Sequence, residues 1–382
     1  MQENEELRLE IVQDERGFDA LESEWRILFE RCQSATTPLK WEWLREWWRI
    51  FGTVYGTPPG GLHLITVRAG KHLKAALPLY ISAEAGCLSR TLRFISTGEA
   101  RTEVTYPEYF DLLSDAAYAE KSIELISRHI FGTIARSWDR FDLGILSPGS
   151  CLHSLAKKPL RSIALLNREL RHSSSRVNLS AGFDGYLGAV SSSSRQNFRR
   201  LLRQASHPGF EFAVASTAPQ IELFLSELMR LHQERWVQAG MPGAFGSPRI
   251  VKLHQVLTQQ LTPKNEALLS RLSISGVPVA LIYGFINKGK FDFYQSGIDA
   301  AHKDVKSPGI LAHLLTMEYL SRYKVHTYDF LVGKDLYKER LATSTQSVSE
   351  ISLMRPTLRS ALSAARTAYR RVAGKLRKSV SP

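Results

Sequence analysis

Three residues near the end of the chain have the pattern of an anion-binding helix start. Ser307, Pro308 and Gly309 stand between the aromatic-rich segment FDFYQSGI and the apolar segment ILAHLLTMEYL, which is predicted to be a helix. Serine is a favoured N-cap residue, and proline is favoured at the first helical position. Glycine adds no side chain there, so an anion can approach the free N–H groups and the positive end of the helix dipole. The pattern predicts a phosphate-binding helix start, with a simple helix cap as the alternative.

Two further residues are candidate proton acceptors. Asp329 stands in the strand-like segment TYDFLVG, where apolar surroundings raise the pKa of a carboxyl group and suit it to general-base catalysis. His232 precedes Arg235 by three residues in LHQERW, and a histidine on that helix face can accept a proton from an amine. Beside them, Trp236 offers a flat wall for a sugar ring. Each residue has a structural alternative: an ion pair for Asp329, and core packing for His232 and Trp236.

A stripe of arginines lies earlier in the chain. Arg195, Arg199 and Arg203 are spaced four residues apart in SRQNFRRLLRQ, so they share one helix face, and the segment contains no acidic residue. Guanidinium groups bind phosphates with well-directed pairs of hydrogen bonds. The stripe predicts a site for coenzyme phosphates or for an anionic acceptor, with a solvated helix face as the alternative.

The sequence lacks the common motifs of nucleotide hydrolases, metalloproteases and serine hydrolases. It has no P-loop, no HExxH and no GxSxG, and its three cysteines are far apart without a CxxC pair. We therefore expect no metal site and no disulfide framework, which is typical of a reducing compartment. No apolar run approaches the about 18 residues of a membrane-spanning helix.

Helix-like and strand-like segments follow each other in a similar order in the two halves of the chain. The first half, 1–175, contains the amphipathic segment WEWLREWWRIFG and the strand-like segments GLHLITVRAG and HLKAALPLYISA. The second half, 176–354, contains a long helical segment, then LLSRLSIS, VPVALIYGFIN and KFDFYQSGI, then another helix and strand. This order predicts an α+β fold of two domains, each a mixed, mostly antiparallel sheet flanked by helices.

Several of these segments resemble a known family. YQSGID and KSPGILAHLLTMEYLSRYKVHTYDFLVGKDLYKERL are similar to the C-terminal part of the CelD/BcsL-like acetyltransferases, GNAT-superfamily proteins associated with cellulose and exopolysaccharide synthesis. WEWLREWWRIFG, AALPLY, SRQNFRRLLRQ and LHQERW resemble other parts of that family. The family also resembles the FemAB-type transferases, which carry two GNAT folds in tandem. The resemblance implies GNAT-like domains over 1–175 and 176–354, with a tail at 355–382.

The resemblance also implies an acyltransferase that uses acyl-CoA, with acetyl-CoA as the first expectation, and no metal. Gln295 and Ser296 would lie where donor and acceptor meet, and Tyr337 would protonate the leaving thiolate. Lys338 would contact a phosphate or a sugar acid. An ordinary strand end, a half-buried aromatic and a solvated lysine are the respective alternatives. The coenzyme pyrophosphate would lie on the helix start formed by Lys306, Ser307, Pro308, Gly309 and Ile310.

The implied reaction transfers an acyl group to an amine or hydroxyl of a sugar or another cell-envelope intermediate. The family signature at the helix start is Q/R-x-x-G-x-G/A, whereas residues 303–309 read KDVKSPG with one glycine. Two alternatives therefore stay open: FemAB-like transfer from an aminoacyl-tRNA, and a non-catalytic partner of a polysaccharide synthase. A tRNA-dependent enzyme needs a broad basic surface, whereas much of the net charge of +13 lies after residue 354.

Residues 355–382 form a segment of uneven charge. Eight basic residues and no acidic residue follow residue 354, and apolar residues at helical spacing lie opposite them. This pattern predicts a basic amphipathic helix that binds an anionic membrane surface, with a frayed tail or a helix packed on the body as alternatives. We therefore expect a cytoplasmic protein that can lie on the inner face of the membrane near a polysaccharide synthase. Nucleic acid is not an expected partner.

Overall fold

The computed structural model describes residues 6–56, 61–83, 89–157, 165–299, 302, 305–359 and 362. The chain folds into two compact units. Unit 1 lies within Met1–Gly98, Pro107–Arg171 and Ser349–Pro382, and unit 2 comprises Glu99–Tyr106 and His172–Val348. The predicted domains differ from these units mainly because unit 2 includes 99–106 and unit 1 includes 349–354. The predicted tail helix, 355–382, lies outside the described residues apart from 355–359 and 362.

Unit 1 is a mixed sheet with helices packed against it. Its strands are β1 (Leu7–Val12), β2 (Leu62–Ala69), β3 (His72–Ala83), β4 (Arg90–Phe94), β5 (Leu113–Ser114), β6 (Arg140–Leu146), the first residues of β7 (Leu166–Asn178) and the last of β13 (Ser344–Met354). Its helices are α1 (Glu15–Ala20), α2 (Glu22–Arg31), α3 (Trp41–Tyr55), α4 (Ala119–Arg128) and α5 (Leu152–Lys157). The sheet order is β1-β2-β3-β4-β6-β13, in which only β4 and β6 run parallel.

Helix α3 supplies much of the core of unit 1. Its apolar spacing predicts one buried face, and the residues of that face are buried: Trp41, Leu44, Trp48 and Phe51. Trp47 is buried as well. The Trp47 ring stacks on Phe51 with centroids 5.4 Å apart, and it packs on Tyr80 of β3 at 5.3 Å. Burial of each such side chain contributes about 2 kcal/mol, so this face holds α3 against the sheet.

Unit 2 has the same kind of architecture. Its strands are the last residues of β7, then β8 (Phe210–Val214), β9 (Ala267–Ile274), β10 (Val277–Asn287), β11 (Lys290–Ile298) and β12 (Thr327–Val332). Its helices are α6 (Gly182–Ala189), α7 (Ser192–Ala205), α8 (Ala218–Gln238), α9 (Pro248–Leu261), α10 (Pro308–Ser321) and α11 (Leu336–Leu341). The sheet order is β7-β12-β11-β10-β9-β8, with only β11 and β12 parallel.

The central strands of the two units follow the same plan. In unit 1, β4 and β6 pair in parallel over three residues, Thr91–Arg93 with Arg140–Asp142. In unit 2, β11 and β12 pair in parallel over three residues, Lys290–Asp292 with Thr327–Asp329. In each unit an antiparallel run of strands leads into this short parallel pair. The predicted α+β fold, with a similar succession of elements in the two halves, is confirmed.

Helix α10 lies in the core of unit 2. Leu311, Leu314 and Met317 are fully buried, and the helix packs on β10, β9, α7 and α6. Its sequence is apolar on nearly every side, which is typical of a helix that is enclosed by other elements. The packing fixes the helix start beside β11. Among the residues that the structure describes, no helix is both long and apolar enough to cross a membrane.

Candidate functional site

The parallel pair β11–β12 opens beyond its third residue. The ladder joins Lys290–Asp292 to Thr327–Asp329 and ends there, while β11 continues to Ile298. The far part of β11 therefore presents backbone N–H and C=O groups that β12 does not take up in its ladder. An extended ligand with amide groups can pair with such a strand edge.

Strand β11 also carries a β-bulge in this region. Tyr283 of β10 pairs with Gln295, whereas Gly284 pairs with Phe293, so Tyr294 is the extra residue on β11. A bulge bends the strand and re-aims the side chains that follow it. Gln295, the next residue, lines a cavity on this side of unit 2.

The start of α10 is open to solvent at the end of this strand. Lys306 and Ser307 are exposed, Pro308 occupies the first helical position, and Gly309 follows it. Ser307 occupies the N-cap position, as predicted, but with φ 59° its side chain makes no capping bond. Because the Ser307 side chain does not take up the first-turn N–H groups, an anion can accept hydrogen bonds from them.

Gly309 packs closely on the strand that precedes this helix start. A Cβ added at Gly309 would lie 2.6 Å from Cδ1 of Ile298, the last residue of β11. The clash involves the flexible end of a side chain, so a small residue fits after a modest shift of Ile298. The glycine thus allows close packing between β11 and α10, and the residues at this start fit a phosphate group.

His232 is held by backbone groups on both sides of its ring. Its Nε2 accepts from the Ala244 N–H at 3.1 Å, so Nδ1 carries the proton and donates to the Ser296 carbonyl at 3.0 Å. Burial lowers its pKa to about 4, the Ser296 carbonyl opposes this shift, and Arg235 adds to it. His232 is therefore neutral near pH 7 and has no free nitrogen for the acceptor's proton. These contacts favour a structural role over the predicted catalytic one.

The predicted residues Arg235, Trp236 and Tyr337 lie in one region of unit 2. The Arg235 guanidinium lies over the Trp236 ring at 5.9 Å and is close enough to Tyr337 to lower the pKa of its phenol. Burial has the larger effect, with Asp335 adding to it, and together they raise the pKa of Tyr337 above its usual value. The Tyr337 ring stacks on His313 with centroids 5.5 Å apart. Tyr337 therefore keeps its proton at neutral pH, as a general acid must.

A cavity of about 280 Å³ has Trp236 in its wall and lies entirely within unit 2. The residues that line it are Arg101, Tyr106, His232, Trp236, Met241, Pro242, Gly243, Ala244 and Gln295. Its polar side-chain groups are an amide, an imidazole, a guanidinium and a phenolic hydroxyl, and the rest of its wall is aromatic or apolar. This composition suits a small polar molecule with a flat face.

Asp329 forms a buried ion pair. Its Oδ2 accepts from Arg176 Nε at 2.7 Å, and its Oδ1 accepts from the Leu331 N–H at 2.8 Å. The side chain is fully buried. Nearby, burial raises the pKa of Asp292, while Lys290 at 2.7 Å opposes that shift. The engaged carboxylate of Asp329 favours the structural alternative to the predicted base.

The predicted binding residues Lys338 and Arg195 are also engaged within the fold. Lys338 is buried, and its Nζ donates to the Val332 carbonyl at 3.3 Å, which holds the loop after β12. Arg195 donates to the Gly188 carbonyl at 3.1 Å. Arg199 and Arg203 are exposed on α7, and neither forms an ion pair within the part of the chain that the structure describes. Their contact with phosphates stays a prediction.

Two residues that line the cavity have no recognisable signal in the sequence. Arg101 and Tyr106 come from the segment ARTEVTYPEY, which looks like an ordinary polar loop. They line the cavity because 99–106 belongs to unit 2, although the residues on either side of this segment belong to unit 1. Only the tertiary structure can show that the segment belongs to unit 2.

The buried histidine predicts a pH-dependent stability. His232 has a folded pKa of about 4 against about 6.5 when unfolded, so only the unfolded chain binds this proton between these values. The free energy of unfolding therefore falls as the pH falls through this window, by up to about 1.4 kcal/mol per pH unit from His232. Denaturant unfolding should show a shallower pH slope for His232→Gln, because glutamine can keep both hydrogen bonds without titrating. The exposed His207→Gln should retain the wild-type slope, and equal slopes in all three proteins would contradict the assignment.

Comparison with known proteins relates this architecture to others. Residues 192–339 match the family model described as acetyltransferase (GNAT) domain, and no curated protein sequence matches the chain. Among solved structures, FemX is similar with a TM-score of 0.59 and 11% identity, over 89% of this chain and 97% of FemX. A conserved protein of unknown function from Bacteroides thetaiotaomicron has a TM-score of 0.51 and 11% identity, over 91% of this chain and 100% of that protein. At these identities the likeness concerns the fold.

Proposed function

We propose that this chain, a GNAT-type acyltransferase with two GNAT-like units, moves an acyl group from acyl-CoA to an amine or hydroxyl of a sugar or cell-envelope intermediate. Acetyl is the acyl group we propose. The observation that carries the proposal is the helix start at Pro308, whose N-cap residue Ser307 makes no side-chain capping bond and which follows the part of β11 beyond its ladder with β12. The start of α10 would bind a diphosphate, and the edge of β11 would bind an extended, amide-containing chain.

Donor binding uses these two features together. The coenzyme diphosphate would accept hydrogen bonds from the first-turn N–H groups of α10, with the exposed Lys306 ammonium beside it. The pantetheine amides would pair with backbone groups of β11 beyond Asp292, where the ladder with β12 has ended, other than the Ser296 carbonyl that His232 occupies. The thioester would then lie near the bulge at Tyr294 and near Gln295.

The reaction itself requires orientation and a proton donor. The acceptor's nitrogen or oxygen attacks the thioester carbonyl, a backbone N–H of β11 near the bulge stabilises the oxyanion, and the C–S bond breaks. Tyr337 donates its phenolic proton to the departing thiolate. Because the nitrogens of His232 and the carboxylate of Asp329 are engaged, we propose that the acceptor's proton leaves through solvent in the open cavity.

The acceptor class and the partners rest on the resemblance to the CelD/BcsL-like acetyltransferases. We propose a sugar or envelope precursor as acceptor, action beside a polysaccharide synthase, and binding of 355–382 to an anionic membrane surface. The exposed Trp236 and the adjoining cavity support a sugar-sized acceptor. A donor aminoacyl-tRNA is the second candidate, because residues 303–309 read KDVKSPG with one glycine.

The donor site can be tested at Gly309. Gly309→Asp places a carboxylate in the first turn of α10, where it favours the helix dipole but repels a diphosphate. We expect calorimetry to show acetyl-CoA bound about 100-fold more weakly than by the wild type. Gly309→Ala is the matched control, since it introduces the same Cβ contact with Ile298 without the charge. It should weaken binding by less than about tenfold.

The outcomes separate the candidates. Equal affinities of the aspartate and alanine variants would remove the diphosphate from this helix start. No binding of acetyl-CoA or CoA by the wild-type chain would refute the proposed donor. In that case an aminoacyl-tRNA becomes the donor to test.

A further inference from the structure

The buried carboxylate of Glu103 holds the segment 99–106 against the rest of unit 2. The Glu103 side chain is largely buried, and its Oε1 accepts from Ser247 Oγ at 2.7 Å and from Arg249 Nη1 at 2.7 Å. Ser247 and Arg249 stand at the start of α9. A buried carboxylate that pairs with a hydroxyl and a guanidinium holds its segment in one position.

A second fastening joins the segment to the bulge of β11. The Tyr294 hydroxyl donates to the Thr105 carbonyl at 2.9 Å. The Tyr294 hydroxyl oxygen also lies 3.0 Å from His254 Nε2. His254 Nδ1 in turn lies 3.2 Å from the Tyr283 hydroxyl. Tyr294 is the extra residue of the bulge, so the position of 99–106 is tied to the strand on which the proposed transfer takes place.

The segment 99–106 places the guanidinium group of Arg101 at the wall of the cavity. Arg101 is exposed at the cavity wall, and its Nη2 contacts the Met241 sulfur at 3.9 Å. Within the described ranges, Arg101 forms no ion pair with a carboxylate. Trp236 and Tyr106, which are 37% and 49% exposed, also line the cavity and provide aromatic surface there. An unpaired guanidinium group beside aromatic rings suits an anionic ligand with a flat or ring-shaped body.

We propose that 99–106 completes the acceptor site, and that the acceptor is a small sugar carrying a phosphate group. Arg101 would bind the phosphate, and the sugar ring would lie against Trp236, with its amine or hydroxyl directed toward Gln295. The cavity, about 280 Å³, is near the lower limit of small-molecule sites and therefore suits a single ring. This inference rests on the proposed acyl transfer for the role of the bound sugar, but the binding itself does not depend on it.

The test compares a phosphorylated and an unphosphorylated sugar as probes. Ligand-observed NMR titrations of the full chain would use glucosamine 6-phosphate and glucosamine. We expect the phosphorylated sugar to bind about tenfold more tightly, since a charge-assisted hydrogen bond to Arg101 is made by it alone. Arg101→Ala should remove that difference without changing glucosamine binding. Arg16→Ala, which removes an exposed arginine of α1 in unit 1, should bind both sugars as the wild type does.

A second variant tests the hydrogen bonds and the ion pair of Glu103 that hold the segment 99–106 in place. Glu103→Gln keeps the side-chain volume and one acceptor but removes the charge that Arg249 pairs with. It should weaken the binding of glucosamine 6-phosphate several-fold and leave that of glucosamine unchanged. Equal affinities for the two sugars in the wild type, no detectable binding of either sugar, or an Arg101→Ala variant that still prefers the phosphate would overturn the proposal.

Acetyl-CoA calorimetry on the same proteins keeps the two proposals apart. Arg101→Ala should bind acetyl-CoA like the wild type, because Arg101 lines the cavity and not the start of α10. Phosphate-dependent sugar binding without acetyl-CoA binding would refute the proposed donor and leave the acceptor site standing. Acetyl-CoA binding without phosphate-dependent sugar binding would refute the acceptor site alone.

Discussion

Replacing Tyr337 with phenylalanine is expected to lower kcat about 100-fold while leaving the affinity for acetyl-CoA within about twofold of the wild type. The hydroxyl is the proton donor that the proposed mechanism needs when the thiolate leaves. The phenol remains protonated throughout the neutral range; burial raises its pKa and so makes it a weaker acid, which limits the rate gain that it can supply. The measurement follows the release of CoA thiol from acetyl-CoA with a saturating amino-sugar acceptor.

The structure predicts that this variant keeps its fold. The Tyr337 ring stacks on His313 and packs edge-on against Phe330 at 6.0 Å, and phenylalanine retains both contacts. A loss of kcat at unchanged acetyl-CoA affinity therefore reports the missing hydroxyl. Tyr323→Phe is the matched control, because Tyr323 is 60% exposed beyond the end of α10. It should turn over at the wild-type rate.

Two other results would count against Tyr337 as the acid. One is a phenylalanine variant with nearly full kcat, which would show that solvent or another group protonates the thiolate. The other is a loss of acetyl-CoA affinity equal to the loss of kcat/KM at unchanged kcat. That pattern indicates lost ground-state binding and not a lost proton donor.

The elements that position the site could be predicted because each has a local signal. The segment FDFYQSGI indicates a strand, and the structure has β11 at Lys290–Ile298. Ser307, Pro308 and Gly309 indicate a helix start, and α10 begins at Pro308. These signals depend on neighbours within a few residues. They also indicated the order of elements, which was enough to predict the α+β fold of both halves.

The side-chain partners could not be predicted because they come from distant parts of the chain. His232 is occupied by groups at residues 244 and 296, and the partner of Asp329 is Arg176, 153 residues earlier. Arg101 lines the cavity because its segment, 99–106, belongs to unit 2, whereas the residues on either side of it belong to unit 1. The sequence could therefore suggest residue types for catalysis, but it could not show which of them are already engaged.

The ion pair of Asp329 supports the second prediction with a large expected effect. Asp329 is fully buried, Arg176 is 23% exposed, and their atoms lie 2.7 Å apart. The pair joins β12 to β7, because the two residues are opposite each other in the ladder. Removal of the Asp329 carboxylate takes this ion-pair partner from Arg176 in a poorly solvated place, which costs about 3–5 kcal/mol. We therefore expect Asp329→Ala to lower the free energy of unfolding by about this amount.

Denaturant unfolding provides the measurement for this prediction. Asp184→Ala is the control, since Asp184 is exposed in the first turn of α6 and its removal should cost less than about 1 kcal/mol. A cost near that of the control would show that the Asp329 pair contributes little, which would contradict the structural assignment.

A double variant distinguishes a structural carboxylate from a catalytic one. Replacing Arg176 with methionine in the Asp329→Ala background removes the guanidinium that has lost this carboxylate, so we expect it to recover about 2 kcal/mol or more of the lost stability. If Asp329 only joins β12 to β7, kcat should recover together with stability. If Asp329 were the general base, kcat would stay low in the double variant even though its stability had recovered. Since the Asp329 carboxylate already accepts from Arg176 and from the Leu331 N–H, we expect kcat and stability to recover together.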